Sequence, residues 1–427
     1  MTEDFLYFLW QYQYFDKNNL KTTAGESLQV VSVGQRNTNA GPDFSNARLL
    51  IGGLEWVGNV EMHLKASDWH AHTHTQDRAY DSVLLHVVWE ADTDINRPDG
   101  SALPALELKP ITDFNLLKNY EQLIDNQSVV LCKSQFENVS VIQKISMLDR
   151  CLMQRLERKA EFVHGLLKQN QNDWEETAYQ VLAHNFGFKI NAEPMLRLAQ
   201  NVKLKILQKH RDNQTQIEAA LFGQAGLLNT EENDNYIETL RRENDFLTVK
   251  YDLQNGRMNA HEWKFLRLRP ANFPTVRIAQ LASLIQQKGS FFSWFIDIKN
   301  VSDFIKSFQI KQSDYWQKHY ILGKLTDGKV PNLGKSSIEN VVINTVVPLL
   351  VAYSQHRDNR DYLDKAIELL EQLPAEHNNI TDQWEELGLE IKTAFDSQAT
   401  IELYNNFCVH KKCLSCNIGT ALVRAKS

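Results

Sequence analysis

Apolar and polar residues near the start of the chain alternate in short runs, and this pattern predicts strands over residues 27–33, 44–51, 54–65, 82–90 and 103–108. Gly52-Gly53 reads as a hairpin turn between the second and third, and Pro98-Asp99-Gly100 as a turn between the last two. The run Ser82-Val83-Leu84-Leu85-His86-Val87-Val88-Trp89 hardly alternates, which predicts a central strand covered on both faces, with His86 buried. From Ser140 the period changes. Ile142, Ile145, Leu148, Leu152, Leu156 and Phe162 recur mostly at three- and four-residue steps, the mark of an amphipathic helix. Asp173 is placed to cap a helix running through Ala183 and ending at Gly187. Further helices are expected over residues 237–246, 278–287, 338–353, 362–373 and 381–395, with no repeat of fixed period. The expected architecture is α+β: a mixed-sheet domain over residues 1–125, an all-helical region over 140–400 and a cysteine-rich knuckle over 401–427.

The chemistry concentrates in the strand region. Five of the 13 histidines lie between His63 and His86, within reach of Asp43, Glu61 and Asp77. In a strand, Val60, Met62 and Leu64 share one face while Glu61, His63 and Lys65 share the other, lining up a carboxylate, an imidazole and an ammonium. If residues 70–74 are extended, His70, His72 and His74 also share a face, and His63, Asp77 or His86 could complete a metal site. Each residue also has a plain role open to it: Asp43 after Pro42 as a turn former, Glu61 and Lys65 as a solvated strand face.

Pro42-Asp43 followed by Glu61-Met62-His63 resembles the PD-(D/E)-x-K nuclease superfamily, in which an acid after proline and an acid-x-Lys strand hold Mg²⁺ at the edge of a mixed sheet. The resemblance implies Mg²⁺ or Mn²⁺ on Asp43 and Glu61 and hydrolysis of nucleic-acid phosphodiesters. The lysine position falls on His63, which departs from that pattern and favours softer metals; His63 or Lys65 would position the attacking water. His72-Thr73-His74 followed by Asp77 also resembles the metal motif of cupin barrels, without its opening glycine and with Asp where Glu is usual. That resemblance implies a noncatalytic or cupin-like metal-binding β-domain, with His72, His74 and His86 as ligands and the helices as a partner-docking region.

Composition bounds the rest. Hydrophobic content of 43% and charged content of 23% are those of a globular protein, and a net charge of −7 argues against strong binding of polyanions by the whole molecule. A local basic face with interleaved aromatics is still available for nucleic acid, centred on Arg267, Arg269 and Arg277 with Trp263, Phe265 and Phe273; packing of those aromatics as core is the competing use. The N-terminus is acidic, and Phe5-Leu6-Tyr7-Phe8-Leu9-Trp10 reads as a docking helix, so a cytoplasmic protein without a membrane span is expected. Three of the five cysteines, Cys408, Cys413 and Cys416, lie near the C-terminus in C-x4-C-x2-C spacing. In a reducing compartment such a group suits Zn²⁺ or an iron–sulfur cluster, with His410, Cys132 or Cys151 as the fourth ligand; buried free thiols are the alternative.

Taken together, Asn39-Ala40-Gly41-Pro42-Asp43-Phe44, Gly58-Asn59-Val60-Glu61-Met62-His63, Asp68-Trp69, His72-Thr73-His74, Leu84-Leu85-His86-Val87-Val88 and Cys413-Leu414-Ser415-Cys416-Asn417-Ile418-Gly419 resemble an uncharacterised bacterial family, domain of unknown function 2851. That resemblance implies no activity.

Overall fold

The expected strands form where the alternation places them. The structure is a computed structural model that describes residues 1–128, 130–308 and 310–425. It divides into two units, one of residues 1–148 with 403–427 and the other of residues 149–402. The C-terminal cysteine segment therefore belongs to the same unit as the N-terminal sheet.

In the first unit, helix α1 (Glu3–Tyr12) precedes strands β1 (Leu28–Ser32), β2 (Gln35–Arg36), β3 (Phe44–Ile51) and β4 (Leu54–Lys65). The short helix α2 (Asp68–Ala71), strands β5 (Val83–Glu90) and β6 (Ala105–Glu107), and helix α3 (Phe114–Ile124) follow. The strand order is β1-β3-β4-β5-β6, with β2 also on β3. The β1–β3 and β3–β4 pairs are antiparallel, and the β4–β5 and β5–β6 pairs are parallel. This is an open mixed sheet with β1 and β6 at its ends, not the antiparallel barrel that the cupin resemblance implied.

Turn chemistry sets the register of the central pair. Gly52 and Gly53 both take positive φ, 59° and 83°, the backbone that a tight hairpin matching strand twist requires and that glycine adopts without steric cost. That register runs from Ile51 opposite Leu54 to Ala47 opposite Gly58; a one-residue shift between Ala47 and Phe44, where Asn46 takes φ 57°, then puts Phe44 opposite Val60, and on the other side Glu61 lies opposite His86. Residues 60–63 of β4 are buried on both faces, because α1 packs its Phe5, Leu6, Phe8, Leu9 and Trp10 on this side of the chain and contacts β4. One face of β4 thus holds Val60 and Met62 in apolar packing, and the opposite alternation buries Glu61 and His63.

The second unit is helical. Helix α4 (Val141–Gln169) spans the expected periodic run, and α5 (Trp174–Phe186) starts where Asp173 accepts hydrogen bonds from the Glu175 and Glu176 amides. The helix expected over 381–395 is two helices, Asn379–Glu386 and Ala394–Leu403. Between them Gly388, at φ 80°, turns the chain out of helical geometry. The run Lys335–Arg357, interrupted by a π-helical turn at Val342–Val346, is among the described residues the one helix long and apolar enough to cross a membrane. Its most apolar window is 67% buried inside the protein, as in a core helix.

A buried carboxyl gives this unit a pH signature. Glu218 is fully buried, accepts a hydrogen bond from the Tyr236 hydroxyl at 2.7 Å, and is pushed up by burial to about 7 from an ordinary 4.5. The folded state holds the Glu218 proton more tightly than the unfolded chain, so its contribution is complete below about pH 4.5 and is lost as pH rises through about 7. At 1.36 kcal/mol per unit, this is on the order of 3 kcal/mol. Thermal midpoints measured from pH 4 to 8 should fall in the wild type relative to Glu218→Gln; parallel curves would refute the assignment.

Candidate metal centre

The site begins with two backbone contacts between neighbouring strands. The Asp43 amide, just before β3, donates to Glu61 Oε2 at 3.1 Å, and the Met62 amide donates to Asp43 Oδ2 at 3.0 Å. Each carboxylate is therefore held by the other's strand. The remaining Glu61 oxygen, Oε1, lies 3.3 Å from His74 Nε2 and 3.6 Å from His63 Nε2. His63 Nε2 is in turn 3.1 Å from His72 Nδ1, while its Nδ1 is 2.8 Å from His86 Nε2.

The loop after β4 delivers the two outer imidazoles, and not in the way alternation suggested. Residues 70–74 are not extended. Asp68 accepts a hydrogen bond from the Lys65 amide, and α2 then makes a single turn. Thr73 reverses the chain at φ 59°, and a 3₁₀ turn begins at His74. The turn sends His70 to solvent and brings His72 and His74 together on His63. Trp69 anchors it: its indole is buried, donates to Thr75 Oγ1 at 3.0 Å, and contacts both the His74 and His86 rings. Tyr80 stacks on His74 at 3.8 Å between centroids, and a cleft of about 260 Å³ opens beside them, lined also by Trp69, Arg97 and Asp99.

Donor separations fit one ion. His63, His72 and His74 each present a ring nitrogen, all within 4.8 Å of one another, and Glu61 Oε1 stands beside two of them, His63 and His74. Ligands at about 2.1 Å in tetrahedral geometry stand ~3.4 Å apart, and three of the contacts in the cluster, at 3.1, 3.3 and 3.6 Å, are of that length. His74 Nε2 is buried without a hydrogen-bond partner, as a nitrogen with its lone pair directed at a cation would be. His86 stands behind the donors. When the His63 Nδ1–H donates to His86 Nε2, His63 Nε2 is left free to coordinate, the usual outer-shell arrangement for a ligating imidazole.

The electrostatics are those of a cluster that lacks only positive charge. Burial first, and the Asp43 charge second, push Glu61 up to about 9; burial raises Asp43 to about 6. Burial and neighbouring imidazoles push His63 and His86 down to about 3 and lower His74. Without a cation, then, the Glu61–His74 and Glu61–His63 contacts join neutral groups at neutral pH and are not ion pairs. A dication would be balanced by the two carboxylates and meet His63 and His74 already neutral.

Of the residues expected from sequence, Asp43, Glu61, His63, His72, His74 and His86 converge. Lys65 does not join them: it is exposed at the end of β4, within electrostatic reach of Asp92. Sequence reasoning missed α1. The Tyr7 hydroxyl hydrogen-bonds Asp43, Glu3 lies within electrostatic reach of both carboxylates, and the Arg36 guanidinium sits 4.6 Å over the Tyr7 ring while pairing with Asp4. The packing of α1 on the sheet brings in Tyr7 and Glu3, while Arg36 comes from β2, whose pairing with β3 sets it opposite Phe44.

In the helical unit, Arg267 and Arg269 are exposed, but Arg277 is buried, donates to Gln280 and Asn272, and lies over the Phe188 ring. Its guanidinium is committed internally, which removes it from the expected basic face. Trp263 is likewise core, its indole donating to the Ala225 carbonyl. In the first unit, burial and the nearby Cys416 push the Cys132 and Cys413 thiols up to about 12. A further trio, His377, Asp382 and Glu385, is fully exposed, where charged groups gather without a metal.

An open mixed sheet carrying a buried histidine–carboxylate cluster on adjacent strands defines the molecule as an α+β protein with a candidate metal centre. The chain belongs to the family described as Protein of unknown function (DUF2851), whose family model matches residues 3–379. Neither the curated proteins nor the solved structures contain a match.

Because His86 orients a donor without needing to be one, His86→Phe should weaken divalent-metal affinity by about 10- to 100-fold, whereas His72→Ala or Glu61→Ala should cost more. Calorimetric titration with Mn²⁺ and Zn²⁺ checks this ranking; an unchanged affinity in His86→Phe would remove it from the site.

Proposed function

We propose that this protein is a metal-dependent phosphodiesterase acting on nucleic acid. The observation that supports the reading best is the reciprocal link between Asp43 and Glu61 on adjacent strands of a mixed sheet, with His63 two residues beyond Glu61. Glu61, His63, His72 and His74 are the donors for the ion. A bound dication offsets charge on the phosphate and lowers the pKa of an attacking water. Asp43, with an affinity for protons near neutrality, is suited to accept the proton of that water while the Tyr7 hydroxyl and the Met62 amide hold it in place. His72 is the exposed donor and marks the side from which substrate enters. Arg36, exposed beside Tyr7, and Arg267 and Arg269 in the helical unit are the cations offered to backbone phosphates.

The donor set bears on the metal. Imidazoles favour Mn²⁺, Fe²⁺ or Zn²⁺ over Mg²⁺, so Mn²⁺ is the expected activator. A second reading, a noncatalytic zinc-binding domain whose helices dock a partner, draws on the three grouped imidazoles with Glu61 beside two of them, a donor set that suits zinc.

Incubation of single- and double-stranded DNA and RNA with Mn²⁺, Mg²⁺ or Zn²⁺ tests both. Cleavage supported by Mn²⁺ and lowered at least about 10²-fold in Glu61→Gln, with circular dichroism unchanged, is the expected result. Cleavage equal in wild type and Glu61→Gln would overturn the assignment, and tightly held zinc without cleavage would favour the second reading.

A further inference from the structure

The cysteines form a second constellation, independent of the histidine cluster. Cys413 opens a 3₁₀ turn over Cys413–Ser415, and the Cys416 amide donates back to the Cys413 carbonyl at 3.2 Å, so one tight turn separates the two thiols. Cys416 then leads into the helix Asn417–Val423, whose Thr420 amide donates to the Cys416 carbonyl at 2.8 Å. This helix lies so close to the turn that a Cβ on Gly419 would stand 2.2 Å from the Cys413 carbonyl oxygen; only glycine permits the approach.

The third cysteine arrives from far away in sequence. Cys132 begins the 3₁₀ segment Lys133–Asn138, which packs against the helix Asn417–Val423. Hydrogen bonds fix the juxtaposition: Asn119 Nδ2 donates to the Val423 carbonyl at 3.1 Å, and Asn417 Nδ2 donates to Ser146 Oγ at 3.1 Å. Cys132, Cys413 and Cys416 are within electrostatic reach of one another. Cys408 ends the π-helical turn Tyr404–Cys408, which packs on the Cys413 turn. The Lys411 amide donates to the Cys408 carbonyl at 3.0 Å, so the chain reverses from Cys408 straight into the other two. His410 is exposed, and Cys151 belongs to the helical unit.

We propose that Cys132, Cys413 and Cys416, with Cys408 as fourth donor, hold a thiolate-ligated metal centre, zinc or an iron–sulfur cluster, that clasps the C-terminal segment to the chain beyond α3. Soft thiolates select these centres over Mg²⁺ or Mn²⁺, so the centre differs in chemistry from the histidine site. Its role is structural: it ties residues at 132 to residues at 416 within one unit.

The test is elemental analysis and acid-labile sulfide determination on full-length protein purified without oxygen. Zinc alone identifies a mononuclear site, and iron with equal sulfide a cluster. The metal should persist in His72→Ala and Cys151→Ser and be lost in Cys132→Ser and Cys413→Ser. Should those variants fail to fold, wild-type protein still decides. Stripped of metal and titrated with Co²⁺, it should develop thiolate-to-cobalt charge-transfer absorption, and its absence would overturn the proposal. Metal that leaves with His72→Ala but stays in Cys132→Ser would also overturn it, by assigning all bound metal to the histidines.

Discussion

Everything in the sheet unit is arranged around the burial of two carboxylates against a group of imidazoles. Such groups are costly to remove from water, and the protein answers with backbone amides: that of Asp43 for Glu61 and that of Met62 for Asp43. These bonds exist in only one pairing of β3 with β4. A slip of one residue would turn Glu61 and His63 to the opposite face and bury Val60 and Met62 among the imidazoles. The Gly52-Gly53 turn and the one-residue shift between Ala47 and Phe44 together set the register, and the cluster depends on both.

How much of this is legible without coordinates follows from range. The strands, the hairpin glycines and the Asp173 cap are local signals, and each forms within a residue or two of its expected place. Glu61 and His63 on one strand face are also legible from the strand period, whereas the place of Asp43 beside them is not, because the pairing shifts by one residue between Ala47 and Phe44. The histidine loop misleads in conformation though not in membership. Alternation assumes an extended chain, while burial of Trp69 favours a turn that discards His70 and keeps His72 and His74. Tyr7 and Glu3 carry no local sign of belonging, since only the packing of α1 on the sheet joins them to Asp43, and Arg36 joins them through the pairing of β2 with β3. Arg277 shows the converse error. A basic residue beside aromatics reads as a surface cation, but two side-chain acceptors and the Phe188 face make its burial tolerable.

The unit that carries both clusters is built from the two ends of the chain, with residues 149–402 inserted between them. Such a unit closes only when the C-terminal segment returns, and the loop entropy of that step must be met by contacts formed late. Helix Asn417–Val423 meets it with the bonds of Asn119 and Asn417 and the close approach at Gly419. A metal held by cysteines from both ends would act on the same step, converting a long-range closure into a ligand-field constraint.

Chemistry at the histidine cluster turns on coordination number. Four donors close a tetrahedron, so an ion that insists on four leaves no position for water and no route to hydrolysis. A larger ion that accepts six ligands would keep positions open for water and substrate in the same donor set, of which His72 is the exposed member. The sequence departs from the acid-x-Lys pattern by placing His63 where an ammonium would stand. That replaces a fixed positive charge with a neutral donor, leaving Arg36 as the cation that acts on Asp43, so that a bound dication would carry most of the charge compensation for Asp43 and Glu61. On the proposed reading the departure would tie the acidic pair to its ion: with no buried lysine to offset it, Glu61 keeps its proton at neutral pH beside the ionised Asp43, and binding of a dication would displace that proton.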